Sequence, residues 1–251
     1  AELGFSGLEL GFRTTDAQVV GIRRRLDLIP VGSVHAFCPV PLSAPCGHPE
    51  LYSLASLDDG ASELAAVYVK KNIEFAADIG ADALVLHAGR VNCRGFLRSR
   101  ALKRRVARGR KLIEAFKRRL DALVPVLECN RVCLGLEDLP YLEGFPAEWE
   151  LESVVGDWVR PWLDTGHDFV RRQAGWDRGF ADAKLSVVLG VHLNDSLGGD
   201  DHLPPGDGKV DFAALSSELV SVRHLVMEPN EDVEEAGLLR GLEYLRRTIN
   251  R

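Results

Sequence analysis

The sequence predicts an α/β barrel, with a parallel sheet inside and helices outside. Three observations lead there. At 251 residues and 46% hydrophobic content, the chain matches one such barrel in length and can fill one large core. Apolar runs of strand length alternate with amphipathic stretches of helical period, the order that builds a parallel sheet. Six of those runs end in a residue able to bind a metal: Val34-His35, Ala83 to His87, Cys133 to Glu137, Trp162 to Asp164, Val187 to His192 and Leu225 to Glu228. The C-terminal ends of parallel barrel strands converge on one mouth, where the chemistry of such folds sits.

Gly7 to Gly11 reads as the first strand, and the six residues before it as the tail of a helix. A helix over about 16–26 follows, then a strand near 32–37. Leu64, Val67, Tyr68, Phe75 and Ile79 share one helical face ahead of a strand near 82–87. Leu102, Val106, Ile113, Phe116, Leu120 and Leu123 do the same ahead of a strand near 133–137. The remaining strands read near 160–164, 187–193 and 223–228, and the remaining helices at about 147–155, 168–184, 210–220 and 233–249. That makes seven strands. An eight-fold barrel needs one more in front, so either the barrel is seven-stranded or open, or the usual first strand is absent from this chain. No linker, low-complexity segment or break in composition interrupts residues 1–251, which implies a single domain.

No run approaches the ~20 apolar residues of a membrane span, and the N-terminus lacks a basic-then-apolar signal pattern. The five cysteines (Cys38, Cys46, Cys93, Cys129, Cys133) form no CxxC pair and read as reduced thiols of a cytoplasmic protein. A net charge of −6 gives no general affinity for nucleic acid and suits a mouth whose carboxylates hold a cation.

His35, His87, Glu137, Asp164, His192 and Glu228 occupy the same place relative to their strands. Burying six polar groups at one rim costs several kcal/mol each if they are unpaired. A divalent cation removes that cost by satisfying lone pairs and carboxylate charge together. In Asp164-Thr165-Gly166-His167, a tight glycine turn is expected to bring His167 back to the same mouth. Asp200-Asp201-His202-Leu203-Pro204-Pro205-Gly206-Asp207-Gly208 reads as a bent loop carrying an Asp-x-His pair, Asp200 and His202.

Together with His192-Leu193-Asn194-Asp195 and Leu136-Glu137-Asp138, these segments resemble the xylose isomerase-like TIM barrel superfamily, which includes sugar phosphate isomerases/epimerases and endonuclease IV. The resemblance runs from Gly4-Phe5 to Glu228 and implies a TIM-type (β/α) barrel with a divalent metal at its mouth. The absent first strand departs from the pattern.

Two chemistries follow from the resemblance. In the isomerase/epimerase branch, Glu137, Asp164, His192 and Glu228 match the metal ligands. Moving a proton beside a sugar carbonyl needs a Lewis acid and a base on each face of the carbon. Glu137 and Glu228 would be the acid/base pair, and His167 would meet a substrate oxygen. In the endonuclease IV branch, three zinc ions are held at positions matching His35, His87, Glu137, Asp164, His167, His192, Asp200, His202 and Glu228, all filled here. Imidazole-rich ligands favour zinc or manganese, in one to three ions, over magnesium.

A DNA enzyme needs basic, phosphate-contacting loops at its mouth. Most loops here are acidic or neutral, the exception being Arg94 to Arg119, with twelve Lys/Arg against one Glu114. Its helical part interleaves with the apolar face and reads as a solvated outer surface. Arg90, Arg94 and Asn194 are the candidate substrate contacts, with Arg98 as a further candidate for holding a phosphate. Gly198 stands where the epimerases of the family tend to have an arginine. Glu9 reads as a supporting carboxylate, and Trp149, Trp158, Trp162 and Trp176 as core. The leading expectation is a metal-dependent sugar or sugar-phosphate isomerase/epimerase acting on a small carbohydrate, without a membrane partner and compatible with homo-oligomerisation. The alternative is an endonuclease IV-like phosphodiester hydrolase, for which nucleic acid would be the substrate. A barrel that only binds metal or a partner is the third reading.

Overall fold

A computed structural model of the chain describes residues 3–42, 44, 46–93, 98–175 and 187–249. By its packing the chain divides into two compact units, Ala1–Glu137 with Glu143–Arg160, and Asp138–Leu142 with Pro161–Arg251.

The first unit runs β1 (Leu8–Leu10), α1 (Asp16–Arg23), β2 (Val31–His35), α2 (Asp59–Ile79), β3 (Ala83–Leu86), β4 (Gly89–Arg90), α3 (Arg98–Asn130), β5 (Cys133–Glu137), β6 (Gly144–Phe145) and α4 (Glu148–Leu151), and includes the start of β7 (Val159–Asp164). β1, β2, β3 and β5 pair in parallel in that order. All four residues of β3 are buried, as expected of a parallel strand covered on both faces. Local signals set the helix ends. Thr15 and Gln18 form a capping box on α1. Asp58 caps the start of α2, and Gly80, at φ +88°, closes it in the left-handed region.

The face that α2 buries is rotated from the expected one. Ala65, Val69, Ile73 and Ala76 are fully buried, while Leu64 and Val67 are about half exposed. Alanines on the inner face let the helix lie close to the strands, and the longer side chains at 64 and 67 turn outward. On α3, Leu112, Phe116, Leu120, Leu123 and Leu127 form the buried row, and Leu102 is exposed. The basic residues interleaved with that row are largely solvated, as the sequence implies, with two exceptions. Arg119 donates to Leu54 O (3.0 Å) and Ser56 O (2.6 Å).

The second exception is Arg105, which is completely buried. Its guanidinium donates to both oxygens of Glu150 (2.8 and 2.7 Å) and to Gly144 O (2.6 Å), between the rings of Phe145 and Trp149. Gly109 has no room for a Cβ against this pair.

The second unit contains the end of β7, then α5 (Thr165–Ala174), β8 (Gly190–Leu193), β9 (Asp195–Leu197), β10 (Asp200–Leu203), α6 (Phe212–Leu219), β11 (His224–Met227) and α7 (Glu235–Thr248). β7, β8 and β11 pair in parallel. Leu163, Val188, Val191, Leu193, Phe212, Leu219, Val222 and Leu245 make its core. The expected helix 168–184 starts earlier, at Thr165, and ends at Gly175, with φ +61°; its remainder falls outside the described residues. The stretch from Asp200, expected as a loop, opens with a strand that pairs antiparallel with β9. The seven parallel strands lie within a few residues of their expected positions. Among the described residues, no helix is long and apolar enough to cross a membrane.

Breaking a buried ion pair on one side leaves a charge without its partner, at a cost of about 3–5 kcal/mol. Glu150→Ala is therefore expected to lower the unfolding free energy by roughly that amount in chemical denaturation, whereas a loss below about 1 kcal/mol would show that Arg105 finds another partner.

Candidate metal centre

In the first unit, His35 ends β2, His87 lies one residue past β3, and Glu137 ends β5. All three are buried. His35 Nε2 lies 2.9 Å and His87 Nε2 3.0 Å from the same oxygen, Glu137 Oε2. The rings of His35 and His87 meet edge to face at 5.0 Å, and Phe12 packs against His35 at 5.4 Å. His35 Nδ1 is 3.0 Å from Ala36 O, and a carbonyl only accepts, so Nδ1 carries the proton. In neutral His35 the Nε2 lone pair then faces a carboxylate lone pair. Two lone pairs so placed are held together by a proton or a metal ion. Ligand atoms of the three residues all lie within 4.8 Å of one another, a spacing one ion can span at ~2 Å per bond. Glu9 is used otherwise, accepting from Ser33 Oγ at 2.6 Å.

In the second unit, Asp164 is the last residue of β7 and also the N-cap of α5. Its Oδ1 accepts from His167 N (2.7 Å), and its Oδ2 accepts from Asn194 Nδ2 (2.6 Å). The Asp-Thr-Gly-His segment is thus the first turn of a helix. Its glycine is required by close approach, because a Cβ on Gly166 would collide with Asn194 Oδ1. His167 Nδ1 donates to Asp138 O at 2.8 Å, so that in the neutral ring the lone pair is on Nε2. His192, on β8, places Nδ1 2.8 Å from Glu228 Oε2 and 3.9 Å from Asp164 Oδ2. Ligand atoms of Asp164, His192 and Glu228 lie within 4.8 Å of one another, as do those of Asp164, His167 and His202. Asp164 and His192 are fully buried, and the Glu228 side chain is 26% exposed. Nitrogen and carboxylate donors at these spacings fit a divalent cation such as zinc or manganese.

The loop residue beside His202 differs from the expected one. Asp200 is exposed, and its carbonyl accepts from Ser196 Oγ. Asp201 instead places Oδ1 3.1 Å from His202 Nδ1 and Oδ2 3.9 Å from His167 Nε2. The cause is the irregular register between Asp200 and Leu203, with His202 at φ +58°. An odd shift in a strand turns the neighbouring side chain to the other face. Asp195 builds this segment, accepting from the backbone N–H of Ser196, Gly206 and Val210, each at 2.8 Å.

Asn194 is fully buried, and its amide bridges Asp164 and the backbone N of His202 (3.1 Å). It is a brace between two candidate ligands. Arg90 closes on Glu50, its Nε 2.7 Å from each carboxylate oxygen. Arg94 and the Arg98 side chain lie outside the described residues. The sequence motifs contain Asp138, Asp195 and Asp201 without giving them a role, and no motif contains Arg171. Asp138 directly follows Glu137, and Arg171 stands one helical turn after His167, which are the signals that mark those two.

Burial disfavours charge on His202, but its hydrogen bond to Asp201 and the charges of Asp164, Glu228 and Asp201 outweigh this and push its pKa up to about 9. Burial raises Asp201 in turn, and the hydrogen bond and charge of His202 with the charge of His167 bring it below the usual carboxylate range. A folded-state pKa raised above the ordinary 6.5 gives stability that is complete below about pH 6.5 and lost as pH rises through about 9. In metal-stripped protein, the stability advantage of the parent over His202→Gln is expected to be larger at about pH 6 than at about pH 9.5, read by urea denaturation.

A family model described as the xylose isomerase-like TIM barrel matches residues 1–248. Compared by sequence with curated proteins, the chain has no match. Among solved structures it is similar to a D-tagatose 3-epimerase-like protein, with 18% identity over 98% of this chain and 89% of that one, at a TM-score of 0.71. It is also similar to a D-psicose 3-epimerase solved in the presence of D-fructose (15% identity, 100% and 91% covered, TM-score 0.68). A third is the IOLI protein with a binding zinc atom (14% identity, 98% and 87% covered, TM-score 0.64). At such identities the structural likeness speaks for the fold, and the family match reaches almost from end to end. The chain belongs to the xylose isomerase-like TIM barrel family.

Proposed function

We propose that the chain is a divalent-metal-dependent isomerase or epimerase of a sugar or sugar phosphate. The observation behind this reading is the cluster of Asp164, His192 and Glu228 at the ends of three parallel strands, with ligand atoms within 4.8 Å. The names of the structural neighbours, among them tagatose, psicose and L-ribulose 3-epimerases, support a carbohydrate substrate. The family's order of motifs would make Glu137 the fourth ligand. When bound, zinc or manganese supplies Lewis acidity to the substrate's carbonyl and hydroxyl oxygens.

The chain's own residues supply the proton transfer. The Glu228 side chain is partly exposed, which opens it to a substrate, and its Oε2 lies 2.8 Å from His192 Nδ1. We assign it the proton on the carbon beside the carbonyl, and Glu137 the delivery of a proton on the other face. His167, with its Nδ1 committed to Asp138 O, offers Nε2 to a substrate hydroxyl. A cytoplasmic setting belongs to the same proposal, since all five cysteines are free thiols.

One observation favours the second reading, a trinuclear phosphodiesterase of the endonuclease IV kind. The groups His35–His87–Glu137 and Asp164–His167–His202 are each compact enough for an ion of their own, more than a single-ion isomerase needs.

Two measurements separate the readings. Metal analysis of protein loaded with zinc or manganese is expected to give one ion per chain, and solvent deuterium is expected to enter a ketose substrate beside its carbonyl. Three ions per chain with cleavage of an abasic-site duplex and no exchange would replace the isomerase by the phosphodiesterase. Uptake without either reaction would leave a binding protein. Glu228→Gln and Glu137→Gln are each expected to lower turnover by roughly 10²–10⁴-fold while the protein stays folded.

A further inference from the structure

Asp138 is buried and speaks to the candidate metal centre through both its main chain and its side chain. Its carbonyl accepts from His167 Nδ1 (2.8 Å), which sets the tautomer and aims Nε2 away from the segment 138–139. Its Oδ1 accepts from the backbone N of Asp164 (2.7 Å), fixing the last residue of β7 where the strand turns into α5. Its other oxygen is ion-paired with the Arg171 guanidinium. Arg171 lies one turn beyond His167 on α5, with a side chain only 12% exposed. It also donates to Leu139 O (3.1 Å) and faces Asp168 at 3.7 Å. The first two turns of α5 are thus tied to residues 138–139 at three points: Asp164, His167 and Arg171.

We infer that Asp138 and Arg171 are positioning residues of the metal centre, which hold Asp164 and His167 in binding geometry before any ion arrives. The inference rests on the metal reading of the site. Asp164 Oδ1 is committed to His167 N, so the direction of the remaining carboxylate lone pairs follows the backbone at Asp164. Asp138 sets that backbone. Without Arg171, the buried Asp138 carboxylate loses its counter-charge and turns towards water. That turn loosens the acceptor that holds Asp164 N. Arg171 also fixes Leu139 O, and with it the peptide plane next to the carbonyl that orients His167. A lysine at 171 restores the charge but lacks the second guanidinium nitrogen, which faces Asp168 while Nη1 serves both Asp138 and Leu139 O.

The test is zinc affinity, measured by competition with a chromophoric chelator, for the parent, Asp138→Ala, Arg171→Gln and Arg171→Lys. Each variant's stability is measured beside it in the metal-free state. Residues that orient metal ligands typically contribute 10–100-fold in affinity. Asp138→Ala is expected to fall in that range, Arg171→Gln by about 10-fold, and Arg171→Lys between Arg171→Gln and the parent. Cobalt-loaded Arg171→Gln is expected to show an altered visible spectrum. If Asp138→Ala does not fold, Arg171→Gln decides, because it leaves the backbone of residue 138 in place. A parent that binds zinc, with folded variants within twofold of it and an unchanged cobalt spectrum, overturns the inference and leaves the metal reading standing. A parent that takes up no zinc or cobalt overturns both.

Discussion

The carboxylate of Asp164 is the constraint around which the second unit is arranged. It is fully buried, and a buried carboxylate without partners costs several kcal/mol. One oxygen caps α5 by accepting from His167 N, and the other accepts from Asn194 Nδ2. Strand β7 must therefore end where α5 begins. Gly166 must be glycine for Asn194 to reach in, and His167 must stand on the first helical turn. The same carboxylate keeps ligand atoms of two histidines, His192 and His202, within metal-binding range. Helix capping and cation binding place compatible demands on it, because a carboxylate oxygen has two lone pairs and can accept a hydrogen bond and face a cation together.

Positive charge is already drawn to this place. His202 has its pKa pushed up to about 9 although burial works against its charge, because three carboxylates outweigh burial. A site that draws a proton this strongly has the electrostatics to draw a divalent cation, and the cation must displace that proton to bind. The first unit repeats the theme with its own residues. Two imidazoles share one oxygen of Glu137, and His35 points an unprotonated nitrogen at it when neutral. Apart from the Arg105–Glu150 pair, the buried ionisable groups concentrate at or just beyond the strand ends.

Much of this was legible in the sequence because it follows from period and punctuation. Parallel strands buried on both faces read as unbroken apolar runs, and the polar residue ending each run marks the end that carries chemistry. Strand positions and the main ligand candidates follow from that alone. What was not legible depends on shifts of one residue or on packing distance. Asp201 replaces Asp200 beside His202 because β10 departs from regular register and His202 adopts a left-handed backbone. No local sequence signal announces that in a stretch of two aspartates. Leu64 and Val67 looked like the inner face of α2, but its alanines allow the closer approach. Asn194 is a candidate substrate contact in the sequence and a buried brace in the structure. Its burial, and the fit of its amide between Asp164 and the His202 backbone, emerge only in three dimensions. Asp138 was in view as part of the Glu-Asp pair, but its role rests on a hydrogen bond to a strand 26 residues further along the chain.

On the proposed reading a divalent cation sits against Asp164, His192 and Glu228. Anomalous diffraction at the zinc edge, from crystals of the zinc-loaded chain, locates it. A peak is expected at about 2.0–2.2 Å from a carboxylate oxygen of Asp164, a ring nitrogen of His192 and a carboxylate oxygen of Glu228. Zinc-loaded crystals with no anomalous density among these three residues, or with the ion bound only elsewhere, would contradict it.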